Sequence, residues 1–189
     1  MAEAARFDFS WFVREFGSNM RKINVDKMKE ENSLRGSEYG TLGKDVSIAL
    51  GRKPESNDVL ERHPFDVEIV RIPPGRKNTL FHAHGAQWEF YHVLEGKGKA
   101  RHANGVTRIE KGDAFLFKPF EPHQIINDSD ADMVIYLIAT NPFNESIYLP
   151  DEDKWIVKSP RFAKVRFDTE KIFSAKPARQ RVPRKVKRS

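Results

Sequence analysis

Cysteine is absent from all 189 residues, which excludes disulfides, thiolate nucleophiles and thiolate metal ligands, and fits a reducing compartment. Long apolar runs are absent too. None approaches the roughly 20 residues that a membrane-spanning helix needs. The opening stretch, MAEAARFDFSWFVREF, carries acids and lacks the apolar core of a secretory signal, so a soluble cytoplasmic protein is expected. Evenly spread positive charge is missing as well, although the chain is formally +6. Eight of its 33 basic residues lie in 171–189, which holds no acid, leaving 25 basic against 27 acidic residues before it. That tail, with Pro177 and Pro183, reads as a solvated end rather than a nucleic-acid site.

With thiolates excluded, histidine and carboxylate must hold any transition metal, and one stretch gathers them. Gly75 to Gly96, GRKNTLFHAHGAQWEFYHVLEG, sets His82 and His84 one residue apart and Glu89 shortly after. In an extended chain positions i and i+2 share a face, so both imidazoles can point at one centre. His123, in GDAFLFKPFEPHQIIN, completes a set of three imidazoles and a carboxylate. Such a set suits one divalent transition metal (iron, manganese, zinc or nickel), whereas calcium or magnesium would want more oxygens. His92 has the opposite strand parity to Glu89, and His63 and His102 lie outside the pattern, so these three read as ordinary hydrogen-bonded histidines. Gln87 and Tyr91 share the parity of Glu89 and are expected to line the same interior, with Phe115 and Phe117 helping to exclude water. Tyr91 is the candidate general acid, though an amphipathic core role suits it better.

Along the chain, residues 1–60 do not read as strands of a regular sheet. Aromatics crowd Phe7 to Phe16, where Trp11 to Phe16 could form a short helix capped by Ser10. LRGSEYGTLGKD reads as a loop, Asp45 to Leu50 as a short helix ended by Gly51, and GRKPESND as a linker. Seven short strands follow, at 66–72, 87–94, 97–103, 106–109, 114–118, 123–127 and 132–140. Asn104-Gly105 reads as a two-residue hairpin turn with positive φ at both positions. Beyond 145 the chain is polar and proline-punctuated, with two further short strands at 155–158 and 163–167, and no chemistry is legible in it. Close-spaced strands with no alternating helix predict an all-β antiparallel barrel or jelly roll with a partly helical N-terminal extension.

The motifs resemble the cupin superfamily. Its first motif runs glycine, H-x-H, three or four residues, E, six residues, G, and is matched by His82, His84, Glu89 and Gly96. Its second runs G, five residues, P-x-G, two residues, H, three residues, N. Gly112, His123 and Asn127 match it, with Lys118 where the proline is usual and Phe120 where the glycine is. The resemblance implies a cupin barrel (double-stranded β-helix) at 61–145. The rest of the chain reads as an extension at 1–60 packing on the barrel or a partner copy, a wrap at 146–170 and a basic tail at 171–189. The resemblance also implies a metal held by His82, His84, Glu89 and His123, and a homodimer, because such barrels pair through sheet edges. Cupins include dioxygenases, oxalate-degrading enzymes, sugar isomerases and small-molecule sensors. The expectation is a small metal-dependent enzyme acting on a small organic molecule, dioxygenase-like ahead of isomerase or lyase. The alternative is a non-enzymatic cupin that binds a small carboxylate or sugar through its metal.

Overall fold

The structure, a computed structural model, describes residues 20–159 and 162–168. The expected Trp11 to Phe16 helix and the basic tail lie outside them. The chain enters through a 3₁₀ turn (Val25–Lys27), β1 (Glu31–Asn32) and β2 (Leu42–Asp45). It then forms two one-turn helices, α1 (Val46–Ala49) and α2 (Val59–Arg62). The α1 helix starts where Asp45 Oδ1 accepts from Ile48 N at 2.7 Å and is followed by Gly51 at φ +98°. The stretch read as a linker is tied down, because Asp58 caps α2 and Arg52 is ion-paired with Asp66.

Strands then dominate: β3 (Phe65–Ile72), β4 (Ala83–His84), β5 (Glu89–Glu95), β6 (Lys97–His102), β7 (Gly105–Glu110), β8 (Ala114–Phe117), β9 (His123–Ile126) and β10 (Met133–Thr140). Three more follow, β11 (Glu145–Leu149), β12 (Lys154–Ser159) and β13 (Phe162–Asp168). One sheet runs β1-β2-β3-β10-β5-β8, a second β7-β6-β9 and a third β13-β12-β11-β4, with antiparallel pairing of the named strands throughout. The fold is thus all-β and antiparallel, as the strand spacing predicts.

Between the six-stranded and three-stranded sheets lies the core. Val70, Ile72, Val93, Met133 and Ile135 come from the first, and Ala100, Ile109 and Ile125 from the second. Each larger aliphatic side chain so buried contributes about 1.5–3 kcal/mol. Alternation decides who faces inward: in β3, Val70 and Ile72 are buried, while Arg71 reaches out to Glu30 and Asp132.

Two expectations are corrected. Residues 31–45 do supply strands, since β2 pairs with β3 from Leu42↔Arg71 to Asp45↔Glu68 and extends the large sheet. Its residues are all half-buried, so no alternation marked it as a strand. The hairpin between β6 and β7 turns on Ala103-Asn104 rather than Asn104-Gly105, with His102 paired to Gly105. Only Gly105 has positive φ there (+126°); the register that sets Ile109 inward opposite Gly98 shifts the turn by one residue. Phe120, standing where the motif has glycine, adopts the left-handed conformation itself (φ +67°), and its N–H donates to His84 O at 2.7 Å. The turn before His123 is therefore kept at the cost of a strained phenylalanine.

Asn127 shows what the end of the second motif does. It is fully buried, its Nδ2 donates to Ile72 O and Ala131 O at 2.7 Å each, and its Oδ1 accepts from Ser129 N (3.0 Å) and Ser129 Oγ (2.7 Å). It ties the β9–β10 connection to the end of β3. Asn127→Ala strands buried carbonyls and is expected to cost about 2–3 kcal/mol in urea unfolding at unchanged m-value.

Candidate metal centre

Two backbone hydrogen bonds place the first motif against the second. His82 N donates to His123 O at 3.1 Å and His123 N to His82 O at 2.8 Å. Two residues on, the chain leaves this bridge and pairs with β11 (Ile147↔His84, Tyr148↔Ala83). His82 and His84 thus share a face across the junction of the two smaller sheets, while Glu89 opens β5 on the opposite wall.

The structure brings His82, His84, Glu89 and His123 together, with one ligand atom of each lying within 4.8 Å of the others. All four are buried, His123 at 1% exposure. His82 Nε2 lies 3.1 Å from His84 Nε2, His84 Nε2 3.2 Å from Glu89 Oε1, and His123 Nε2 2.6 Å from Glu89 Oε2. The outer nitrogens fix the ring state: His82 Nδ1 is 2.9 Å from Leu80 O and His123 Nδ1 2.9 Å from Glu121 O, so both donate there and turn a bare Nε2 lone pair inward. At 2.6 Å, a lone pair of His123 and a carboxylate oxygen of Glu89 repel unless a proton or a metal cation lies with them. The donor set therefore fits a divalent transition metal, and these are the four residues that could hold it.

Electrostatics point the same way. Burial, with help from His123, pushes His82 down to about 4, so it stays neutral and ligating at neutral pH. Burial alone would raise Glu89, but hydrogen bonds with His123 and His84 hold its carboxyl well below the usual range. Tyr91 is pushed far up by burial and by the Glu89 charge, to which its hydroxyl donates at 2.7 Å. It keeps its proton and positions the carboxylate.

Of the expected pocket residues, Phe117 stacks on His123 (4.1 Å between centroids, 3° between planes) and Phe115 stacks on Tyr91 (5.2 Å, 8°). Gln87 lies before β5 begins, where strand parity does not apply, and its Nε2 donates to Thr140 O at 2.7 Å. A cavity of about 170 Å³ opens beside the centre, lined by His82, Glu89, Tyr91, Thr41, Asn78, Thr79 and Glu68 among others.

Two carboxylates here escaped the sequence reading. Glu68 has the parity of Val70 and Ile72, so DVEIVRI carries an acid on its core-facing side, which was a legible signal. Burial first, then Asp66 and Asp45, pushes its carboxyl up to about 7. Glu145, buried at the start of β11, alternates inward with Ile147 and Leu149. That alternation was hidden in a stretch read as polar.

Residues 68–139 match the family model of the cupin domain. An uncharacterized protein of Methanocaldococcus jannaschii is 33% identical over 73 residues, 39% of this chain and 58% of that protein, so the chain spans less than two thirds of that relative. In fold, the chain is similar to a putative sugar phosphate isomerase from Acidithiobacillus ferrooxidans, with TM-score 0.66 and 21% identity over 77% of this chain and 88% of that one. It is likewise similar to a cupin-superfamily sugar phosphate isomerase from Silicibacter pomeroyi, with TM-score 0.65 and 23% identity over 79% and 93%. Residues 68–139, which hold all four residues of the centre, are therefore a cupin domain.

Protonation gives a test. His82 has its folded pKa (about 4) below the ordinary 6.5, so its contribution to stability is full above about 6.5 and lost as pH falls to about 4. Glu68 acts oppositely: raised from 4.5 to about 7, its contribution is lost as pH rises through that window. Metal-free Glu68→Gln protein, relieved of the opposing group, should lose on the order of 3 kcal/mol between pH 6.5 and 4. Adding His82→Asn should remove most of that loss, read by urea unfolding in chelator; parallel pH profiles would refute it.

Proposed function

We infer that the protein is a metal-dependent cupin enzyme that moves a proton on a small, uncharged hydroxylated or carbonyl-bearing molecule, as isomerases and lyases do. The observation that carries this reading is Glu68, whose carboxyl lines the same cavity as His82, Glu89 and Tyr91. No described residue donates a hydrogen bond to it. Glu68 pairs with Leu137, and Leu137 with Tyr91, which sets Glu68 and Tyr91 two strands apart, roughly 10 Å between their backbones. That separation leaves room for a small molecule between Glu68 and the ligand cluster.

A divalent cation at the four ligands would polarise a substrate oxygen and acidify the adjoining C–H. The chain's own residues do the rest. His82, His84, His123 and Glu89 orient the oxygen, and Tyr91 holds Glu89 in place through its 2.7 Å hydrogen bond. Phe115 and Phe117 exclude water on one side. Glu68, poised near neutrality, takes the proton at its carboxylate and returns it to the neighbouring carbon or oxygen. The descriptions of the two isomerases similar in fold support the reading without deciding it, since their likeness is one of fold.

The aromatic wall at His123 favours a second reading, dioxygen-dependent oxidation, which needs a dry open metal but no proton-transfer carboxyl. The two separate by experiment. Metal-loaded protein incubated with small aldoses and hydroxyketones in D2O is expected to exchange the C–H beside the carbonyl, followed by proton NMR. Glu68→Gln should slow that exchange by about 10²–10⁴-fold with metal content unchanged. Exchange at the wild-type rate in Glu68→Gln, or oxygen consumption without exchange, would overturn the assignment.

A further inference from the structure

His84 differs from the other two imidazoles in how its outer nitrogen is treated. His82 and His123 each give Nδ1–H to a backbone carbonyl at 2.9 Å. His84 Nδ1 is buried and has no hydrogen-bond partner among the described residues. Facing it, 3.9 Å away, is Oε1 of Glu145, a carboxylate only 8% exposed. Glu145 is held there by the backbone that carries His84: Gly85 N donates to Oε1 at 2.8 Å and Ala86 N at 3.3 Å. Its other oxygen, Oε2, is likewise buried without a donor. A buried imidazole nitrogen without a partner thus stands 3.9 Å from a buried carboxylate whose second oxygen lacks a donor, on the two strands that join the C-terminal sheet to the metal centre.

The approach that makes this possible depends on Gly85. A Cβ there would overlap Ser146 Oγ and crowd the carbonyl of Ser146. Only a residue without a side chain lets β11 come close enough for Glu145 to reach past β4.

We propose that Glu145 is the positioning residue of His84. A small shift from 3.9 Å to hydrogen-bonding distance lets its carboxylate accept from His84 Nδ1–H, which leaves Nε2 as a lone pair aimed at the centre and raises its basicity, and so couples metal affinity to the docking of β11 on β4. This role rests on the metal-centre reading above and assigns a task to a strand outside the matched cupin domain. A carboxylate behind a ligand imidazole fixes both tautomer and ring direction, and losing such a partner weakens metal binding by about 10–100-fold.

The probe is Zn²⁺ alone, titrated against a competing chelator, with ¹⁵N NMR of the histidine rings and amide hydrogen exchange as further readouts. In metal-free wild-type protein, His84 should be the Nδ1–H tautomer. In Glu145→Gln, the amide oxygen still serves Gly85 and Ala86, but the acceptor beside His84 Nδ1 loses its charge while Glu89 Oε1 keeps its own 3.2 Å from Nε2. His84 should then switch to the Nε2–H tautomer, and Zn²⁺ should bind about 10–100-fold more weakly. Zn²⁺ loading should slow amide exchange across 145–149 in wild type and not in the variant. Wild-type affinity and an unchanged tautomer in Glu145→Gln would overturn the proposal. So would an Nε2–H tautomer in the wild type, which decides the matter even if the variant does not fold. Failure of wild-type protein to take up Zn²⁺ with His84 still in the Nδ1–H form would refute the metal reading and leave the Glu145 to His84 contact standing.

Discussion

Everything at the centre depends on the pair of backbone hydrogen bonds between His82 and His123. Forty-one positions apart in sequence, these residues are forced opposite one another by a bridge that belongs to no regular strand. With that bridge made, the alternation of an extended chain carries His84 to the same face as His82, and the pairing of β9 with β6 anchors the far side. The fourth ligand needs no such device. Glu89 begins β5, two strands from β3 in the large sheet, and pairs opposite Phe117, which itself stacks on His123. Packing of the two walls around their aliphatic core therefore sets the depth at which carboxylate and imidazoles meet.

The sheet also sorts the chemistry by row. Across the inner face, Asp66, Ala139, Glu89 and Phe117 form one level, and Glu68, Leu137, Tyr91 and Phe115 the next. The first level carries the carboxylate of the candidate metal centre, and the second carries Tyr91, which keeps its proton because burial raises it far, and Glu68, poised near neutrality because burial raises it to about 7. Two residues along one face thus separate the carboxylate held ionised from the one poised to exchange a proton. Asp66 escapes the pattern because Arg52 supplies its counter-charge.

What the sequence made legible follows from which interactions are local. Seven strands of the barrel could be read because alternation and turn residues act within a few positions, and the four ligands because their spacing is periodic. β2 could not, since LGKD owes its extended form to pairing with β3 rather than to any pattern of its own. β4 is two residues long and exists only through β11. The left-handed turn before His123 was legible as a need for glycine, yet the tertiary bond from Phe120 N to His84 O imposes the same conformation on phenylalanine. Glu145 was hidden for a related reason: its meaning lies in what Gly85 permits from sixty residues away.

Charge is the last constraint, and it bears on the identity of the missing partner. Glu89 and Glu145 are both buried at 8% exposure, and no described lysine or arginine pairs with either of them. Two carboxylates taken out of water without counter-charge would ordinarily neutralise by picking up protons. Glu89 does the reverse, its carboxyl held well below the ordinary range by the two imidazoles beside it. His123 can help only while it carries a proton inward, which its Nδ1 bond to Glu121 O discourages. A single divalent cation held by His82, His84, Glu89 and His123 would resolve the conflict, offsetting the buried charge while every imidazole remains neutral.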